Sequence, residues 1–188
     1  MVRESRIIAG LLLEKTPQDK WDRVILDENI LQKRSSASAK RNAQAIRKRL
    51  ERLEPGFWRA LRDGDEELAT QIAFCGALAR NLLLVEFVEQ IVSDAYKTQT
   101  DKLDLYLWAD FLESCAHKDY RIHDWKLSSK EKMGQVVFRI LAEMGYLESS
   151  RSLRLQRVII RPELKIMLED SSRQRIKTCM EVSSKRST

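Results

Sequence analysis

The chain has 188 residues, 43% of them hydrophobic, and 34 basic against 28 acidic side chains give it a net charge of +6. Three prolines and six glycines are too few for an all-β protein built on many tight turns, so a mostly helical fold is expected. Three widely spaced cysteines, Cys75, Cys115 and Cys179, exclude a disulfide framework and fit a reducing compartment.

Neither apolar run reads as a targeting or membrane segment. Ile7 to Leu13 is flanked by Glu4 and Glu14 and is followed by no small-residue cleavage site. Leu82 to Val85 stops at Glu86, far short of the roughly 20 residues a membrane helix needs. A soluble cytoplasmic protein with no membrane contact is expected.

In chain order, Arg3 to Glu14 predicts a helix with Ile7, Ile8, Leu11 and Leu12 inward. Thr16 as N-cap and Pro17 at the first position open a second helix, which runs to about Gln32 and buries Trp21, Val24, Ile25, Leu26 and Leu31. A turn at Lys33–Ser36 then leads into a basic helix, expected over 36–53. From Lys33 to Arg52 there are eight basic residues and one acid, Glu51, a net +7 that exceeds the charge of the whole chain. Ala39, Ala43, Ile46, Leu50 and Leu53 form its apolar stripe. Lys40, Arg41, Gln44, Arg47, Lys48 and Glu51 recur on the opposite face. Solubility alone is served better by mixed signs, so this face points to a polyanion. Helix, short turn, basic helix is the outline of a helix-turn-helix, though many helical hairpins share it.

Pro55-Gly56 ends the basic helix, and Asp65, Glu66 and Glu67 open another at the end where acids suit the dipole. The stretch 54–119 carries a net −7 and reads as helical core, with stripes at Leu68, Ile72, Cys75 and Ala79, at Leu84, Phe87, Val88, Ile91 and Ala95, and at Leu103, Leu107, Phe111 and Cys115. The last third is basic again, a net +7 over 120–188. Ser128 to Glu131 matches a capping box. The helix after it turns Met133, Val137, Ile140, Leu141 and Met144 to one side, and Lys132, Gln135 and Arg139 to the other. Gly145 suits its C-terminal cap. Tyr146-Leu147, a polar tip at Glu148–Arg151 and the β-branched run Leu153–Ile160 then read as a basic hairpin. Helix plus hairpin is the pattern of a winged helix, with Arg151, Arg154 and Arg157 placed for phosphate; packing or protein contact is the bland alternative.

The expected class is therefore mostly α: a compact helical bundle with a helix-turn-helix-like N-terminal part and a winged-helix-like C-terminal part carrying a short β-hairpin. The expected organisation is a helical domain over 1–119, a winged-helix-like subdomain over 120–170 and a flexible, polar, basic tail over 171–188. The candidate DNA-binding residues are Lys33, Arg34, Lys40, Arg41, Arg47, Lys48, Lys130, Lys132, Arg139, Arg151, Arg154 and Arg157.

No catalytic pattern is present. There is no glycine-rich phosphate loop, and His117, His123 and Cys115 match no common zinc spacing, so neither cofactor nor metal is expected. Trp21, Trp58, Trp108 and Trp125 lie among apolar neighbours and read as core anchors.

Four blocks resemble the BrxA family of bacterial BREX (bacteriophage exclusion) defence systems. They are Asn29–Ser35, Ile46–Leu50, Asn81–Phe87 and Ile140–Leu147, and the resemblance spans roughly residues 3 to 170. It rests on their order, spacing and total length, since no block is chemically diagnostic. It implies a mostly helical protein compared in shape with the antitermination factor NusB, one that binds double-stranded DNA without catalysis and works alongside other BREX proteins. RNA binding and a scaffold role without nucleic-acid contact are the alternatives. The residues leave the oligomeric state open.

Overall fold

Helix formers dominate the composition, and α-helices carry most of the chain. The computed structural model describes residues 2–184. Its α-helices are α1 (Val2–Leu13), α2 (Gln18–Asp22), α3 (Ser36–Leu50), α4 (Pro55–Asp63), α5 (Glu66–Arg80), α6 (Leu82–Phe87), α7 (Ser93–Lys97), α8 (Tyr106–Ala116), α9 (Leu127–Met144), α10 (Pro162–Asp170) and α11 (Gln174–Met180). π-helical turns at Arg23–Asp27 and Val88–Val92 prolong α2 and join α6 to α7. Among the described residues there is no β-sheet, only two single antiparallel bridges. The mostly α class is the one observed.

The residues group into two compact units. One holds the chain up to Arg80 together with Arg161–Arg173; the other holds Asn81–Ile160 together with the described residues from Gln174. The cuts fall away from the expected 119/120 and 170/171, because composition shifts do not mark where the chain returns.

In the first unit, α1 packs against α3, α4 and α5. The stripe of α3 is fully inward: Ala39, Ala43, Ile46 and Leu50 are all buried. Burying Ile46 and Leu50 contributes roughly 1.5–3 kcal/mol each, which holds the helix in place whatever its charged face meets. Ser35 caps α3 by accepting from the Ser38 amide. The helix ends at Leu50, and Pro55 stands at the first position of α4 rather than terminating α3. Thr16 is not a cap. Pro17 takes the N-cap position of α2, and the Thr16 hydroxyl is buried without a hydrogen-bond partner. Beyond the π turn the chain leaves helical geometry, with positive φ at Asn29 and Gln32, so the second helix stops short of Gln32. Leu26, expected in the core, is half-buried. The returning α10 segment is latched by buried Gln71, whose Oε1 accepts from the Arg161 amide at 2.9 Å. Arg173 adds a paired contact to Glu54 at 2.8 Å.

In the second unit, four aromatics form an edge-on cluster. Phe87 of α6 meets Trp108 and Phe111 of α8 and Phe138 of α9 at ring-centroid distances of 5.4, 5.3 and 5.9 Å. Asn81 caps α6 by accepting from the Leu84 amide. The helix α9 starts at Leu127, one residue before the Ser128–Glu131 motif; Lys126 is its N-cap without a side-chain bond, and the capping box does not form. Gly145 does cap its C-terminus, in the left-handed region at φ 92°.

The expected flexible tail from 171 is ordered as far as Ser184. Ile176, Cys179 and Met180 are buried, and the Tyr146 hydroxyl donates to the Met180 carbonyl. Ser183 Oγ also pairs with both the amide and the carbonyl of Val158, at 3.1 and 3.0 Å. Apolar residues sparsely placed in a polar stretch were enough to anchor it. Residues 185–188 of that tail lie outside the described residues. Replacing Tyr146 with Phe leaves a buried carbonyl unpaired and is expected to lower stability by about 1–2 kcal/mol, measurable in a urea melt.

All three cysteines are free and buried. Burial pushes the Cys75 thiol up to about 12 and raises Cys115 as well. At pH 8 the folded chain is therefore expected to react negligibly with a disulfide-exchange reagent, and all three thiols to react at once in guanidinium.

Candidate nucleic-acid interface

Helical geometry sorts the α3 side chains. At about 100° per residue, the buried stripe lies opposite an arc that holds Lys40, Gln44, Lys48 and Arg41. All four are exposed. Lys40 and Lys48 have no carboxylate partner among the described residues, and Arg41 contacts only the Ser38 hydroxyl, at 3.4 Å. Exposed Arg34, in the turn before the helix, is likewise without an ion pair. Four cations and one neutral amide thus share a solvent face of α3 and its entry.

Two of the six cations expected in this region are engaged instead. Arg47 sits at the edge of the arc, its guanidinium 4.6 Å over the Trp21 ring and 2.8 Å from Glu51. Gln18 lies 3.5 Å from it. Lys33 is half-buried and bonds Glu4 of α1 at 2.6 Å. Burial works to raise the Glu4 carboxyl, but the Lys33 ammonium and local backbone bonding outweigh it and hold the group below its usual value. A depressed folded value means that the pair stabilises the fold at neutral pH and that its contribution is lost as pH falls through that value. Both residues orient the turn and the helix.

The other six candidates lie in the second unit. The face of α9 holding Ser128, Lys132 and Arg139 is exposed. Arg139 is 3.9 Å from Glu143, a weak exposed pair. Lys130 points elsewhere: it is half-buried on the side of α9 that faces α8, and its carbonyl accepts from Trp108 Nε1 at 2.8 Å. Past α9, Leu147 bridges Leu155, and Lys102 bridges Arg154, both antiparallel. The Glu148 amide donates to Arg154 and the Gln156 amide to Tyr146. The expected hairpin is thus reduced to single bridges around a Ser149–Ser152 turn, the rest of Leu153–Ile160 staying irregular. Arg151 lies in that turn and Arg157 beyond it; both are exposed with no ion pair among the described residues, whereas Arg154 approaches Asp101 at 3.7 Å.

No group of three or more metal-ligating side chains occurs among the described residues. No single helix among them is long and apolar enough to cross a membrane.

Residues 1–172 match the family model for BrxA. The chain belongs to the BrxA family. The BREX protein BrxA of Paramagnetospirillum magneticum is 38% identical over 180 residues, covering 96% of this chain and 90% of that protein. The BREX protein BrxA of Escherichia coli O9:H4 is 32% identical, over 96% of this chain and 85% of the relative. The crystal structure of an uncharacterized protein from Magnetospirillum magneticum, 36% identical, superposes with a TM-score of 0.88 and covers 97% of this chain and 93% of that one. The helical architecture described above is therefore shared with that protein.

Sequence reasoning grouped Arg47 with the free cations because spacing alone puts it on the polar side. Its stacking on Trp21 depends on how α2 crosses α3, which no local signal carries. Lys20, exposed on α2 and without an ion pair among the described residues, was not picked out. Its neighbours Asp19 and Asp22 masked it in any count of local charge.

Proposed function

We propose that this BrxA-family chain is a non-catalytic, double-stranded DNA-binding component of a BREX phage-defence system, with other BREX proteins as its partners. The observation that carries the reading is the exposed arc of α3. Lys40, Arg41 and Lys48 lack carboxylate partners there among the described residues, while the helix is held by its buried stripe. Fixed cations that neutralise phosphates release condensed counterions, and this term supplies most of the non-specific affinity of a DNA-binding protein. Gln44, in the middle of the arc, is a side chain able to pair bidentately with adenine in the major groove.

The second unit supports the same reading. Its order of elements is helix, short extended segment at Lys102, α8, α9, then extended segments at Leu147 and Leu155 joined by a turn. We read this order as winged-helix-like, a reading in which α9 takes the role of the recognition helix and Arg151 and Arg157 belong to the wing. Lys132 and Arg139 supply its cations.

Duplex DNA is favoured over duplex RNA because the B-form major groove admits an α-helix, whereas the A-form groove is too deep and narrow. The test is fluorescence anisotropy on a labelled duplex of about 20 base pairs, competed with unlabelled DNA or RNA duplex of the same length. DNA is expected to compete at least tenfold better. Equal competition would assign the basic faces to RNA, and no binding to either would leave them as protein-docking surfaces.

A further inference from the structure

Outside the basic faces, the second unit carries an open apolar groove of about 600 Å³ between α8 and α9. Leu105, Trp108, Leu112, Leu127 and Phe138 contribute to it. Two of these stand largely in solvent, Leu105 at 65% and Leu127 at 72% exposure. A single exposed leucine is ordinary, but these two share one groove lining with Trp108, Leu112 and Phe138, and a continuous apolar patch of this kind is what partner surfaces use. On α9 the groove-facing residues Leu127, Glu131, Gly134 and Phe138 recur at spacings of four, three and four, so one face of the helix is committed to the groove. Lys132 and Arg139 lie roughly a third of a turn away round the same helix. The groove is therefore a separate surface from the proposed DNA contact.

The charges at the groove identify the occupant. Glu113 of α8 and Glu131 of α9 both line it, both are exposed, and neither has an ion pair among the described residues. Lys130 is the one cation in the lining. Leu127 and Phe138 are eleven residues apart on α9, a run of about 16 Å or three helical turns. We infer that the α8–α9 groove is a docking site for an amphipathic helix of a partner protein, three turns long, with apolar side chains at i, i+4 and i+7 and lysine or arginine flanking them opposite Glu113 and Glu131. Helix-in-groove recognition uses this division of labour: the apolar row gives affinity, and the rim charges set register and partner choice.

The inference is independent of DNA binding and is tested without DNA. The probe is a fluorescein-labelled 15-residue helical peptide with an alanine background, leucines at i, i+4 and i+7, and lysines on both flanks. A second peptide carries glutamates in place of the lysines. Micromolar, saturable binding of the lysine peptide to the full chain is expected, with the glutamate peptide about tenfold weaker. Leu105→Ser with Leu127→Ser should weaken the lysine peptide by a further factor of about ten. Both changes sit at helix N-termini where serine is well tolerated, so an unchanged melting curve is expected. Glu113→Lys with Glu131→Lys should invert the preference and restore binding of the glutamate peptide. No saturable binding of the lysine peptide overturns the inference. So does equal binding of both peptides, or undiminished binding to the serine variant.

Discussion

Changing Lys40, Arg41 and Lys48 together to glutamate is expected to weaken duplex DNA binding by about 100-fold or more near 0.1 M salt. Each phosphate contact carries close to one unit of slope in log K against log salt, so losing three should flatten the slope by about 2.7 units. Repulsion from three new acids adds to the loss at low salt. The three side chains are exposed, and none bonds a carboxylate among the described residues, so the folded state should survive. Only Lys48→Glu, near the C-terminus of α3, costs a few tenths of a kcal/mol against the helix dipole. Arg47→Ala separates the two roles. Its guanidinium stacks on Trp21 and pairs with Glu51, so its loss should cost about 1 kcal/mol of stability and leave the salt slope nearly unchanged. Thermal melts and anisotropy on the same samples read both effects.

The second large effect is structural. Gly134 of α9 lies against Trp108 of α8, and a Cβ placed there would meet the indole Cδ1 at 2.6 Å. The ring is tied in place from two sides. Its Nε1 donates to the Lys130 carbonyl at 2.8 Å, and it packs edge-on with Phe87 at a centroid distance of 5.4 Å. Alanine would ordinarily favour a helix interior over glycine by about 1 kcal/mol, but here it forces α8 and α9 apart. Gly134→Ala is expected to lower stability by about 2 kcal/mol, or roughly 4–8 °C in melting temperature. A melting temperature at or above that of the parent chain would mean that the indole moves freely.

Much of this architecture could be read from residues. The α3 stripe of Ala39, Ala43, Ile46 and Leu50 matches the buried set because period 3.6 is a local property. Asn81 and Gly145 mark real helix ends because caps are local too. The errors were non-local or competitive. Thr16 and the Ser128–Glu131 motif are credible caps that lost to Pro17 and Lys126 when packing set where the helices begin. The polar segment after 171 gave no sign that Tyr146, far back in the chain, holds it through the Met180 carbonyl. The return of 161–173 to the first unit likewise depends on Gln71 and Glu54, which no composition shift announces. At the candidate interface, the sequence reading found the cations of α3 but could not separate free Lys40 and Lys48 from occupied Lys33 and Arg47. Pairing is a property of crossing helices.

In the proposed function the exposed cations of α3 bind phosphate. The most direct test is the affinity of the full chain for a labelled DNA duplex measured from about 50 to 300 mM salt. A straight line of log K against log salt with a slope of about −3 or steeper is predicted, flattened in the Lys40→Glu, Arg41→Glu, Lys48→Glu variant. A slope near zero, or one the triple change leaves intact, would contradict the account.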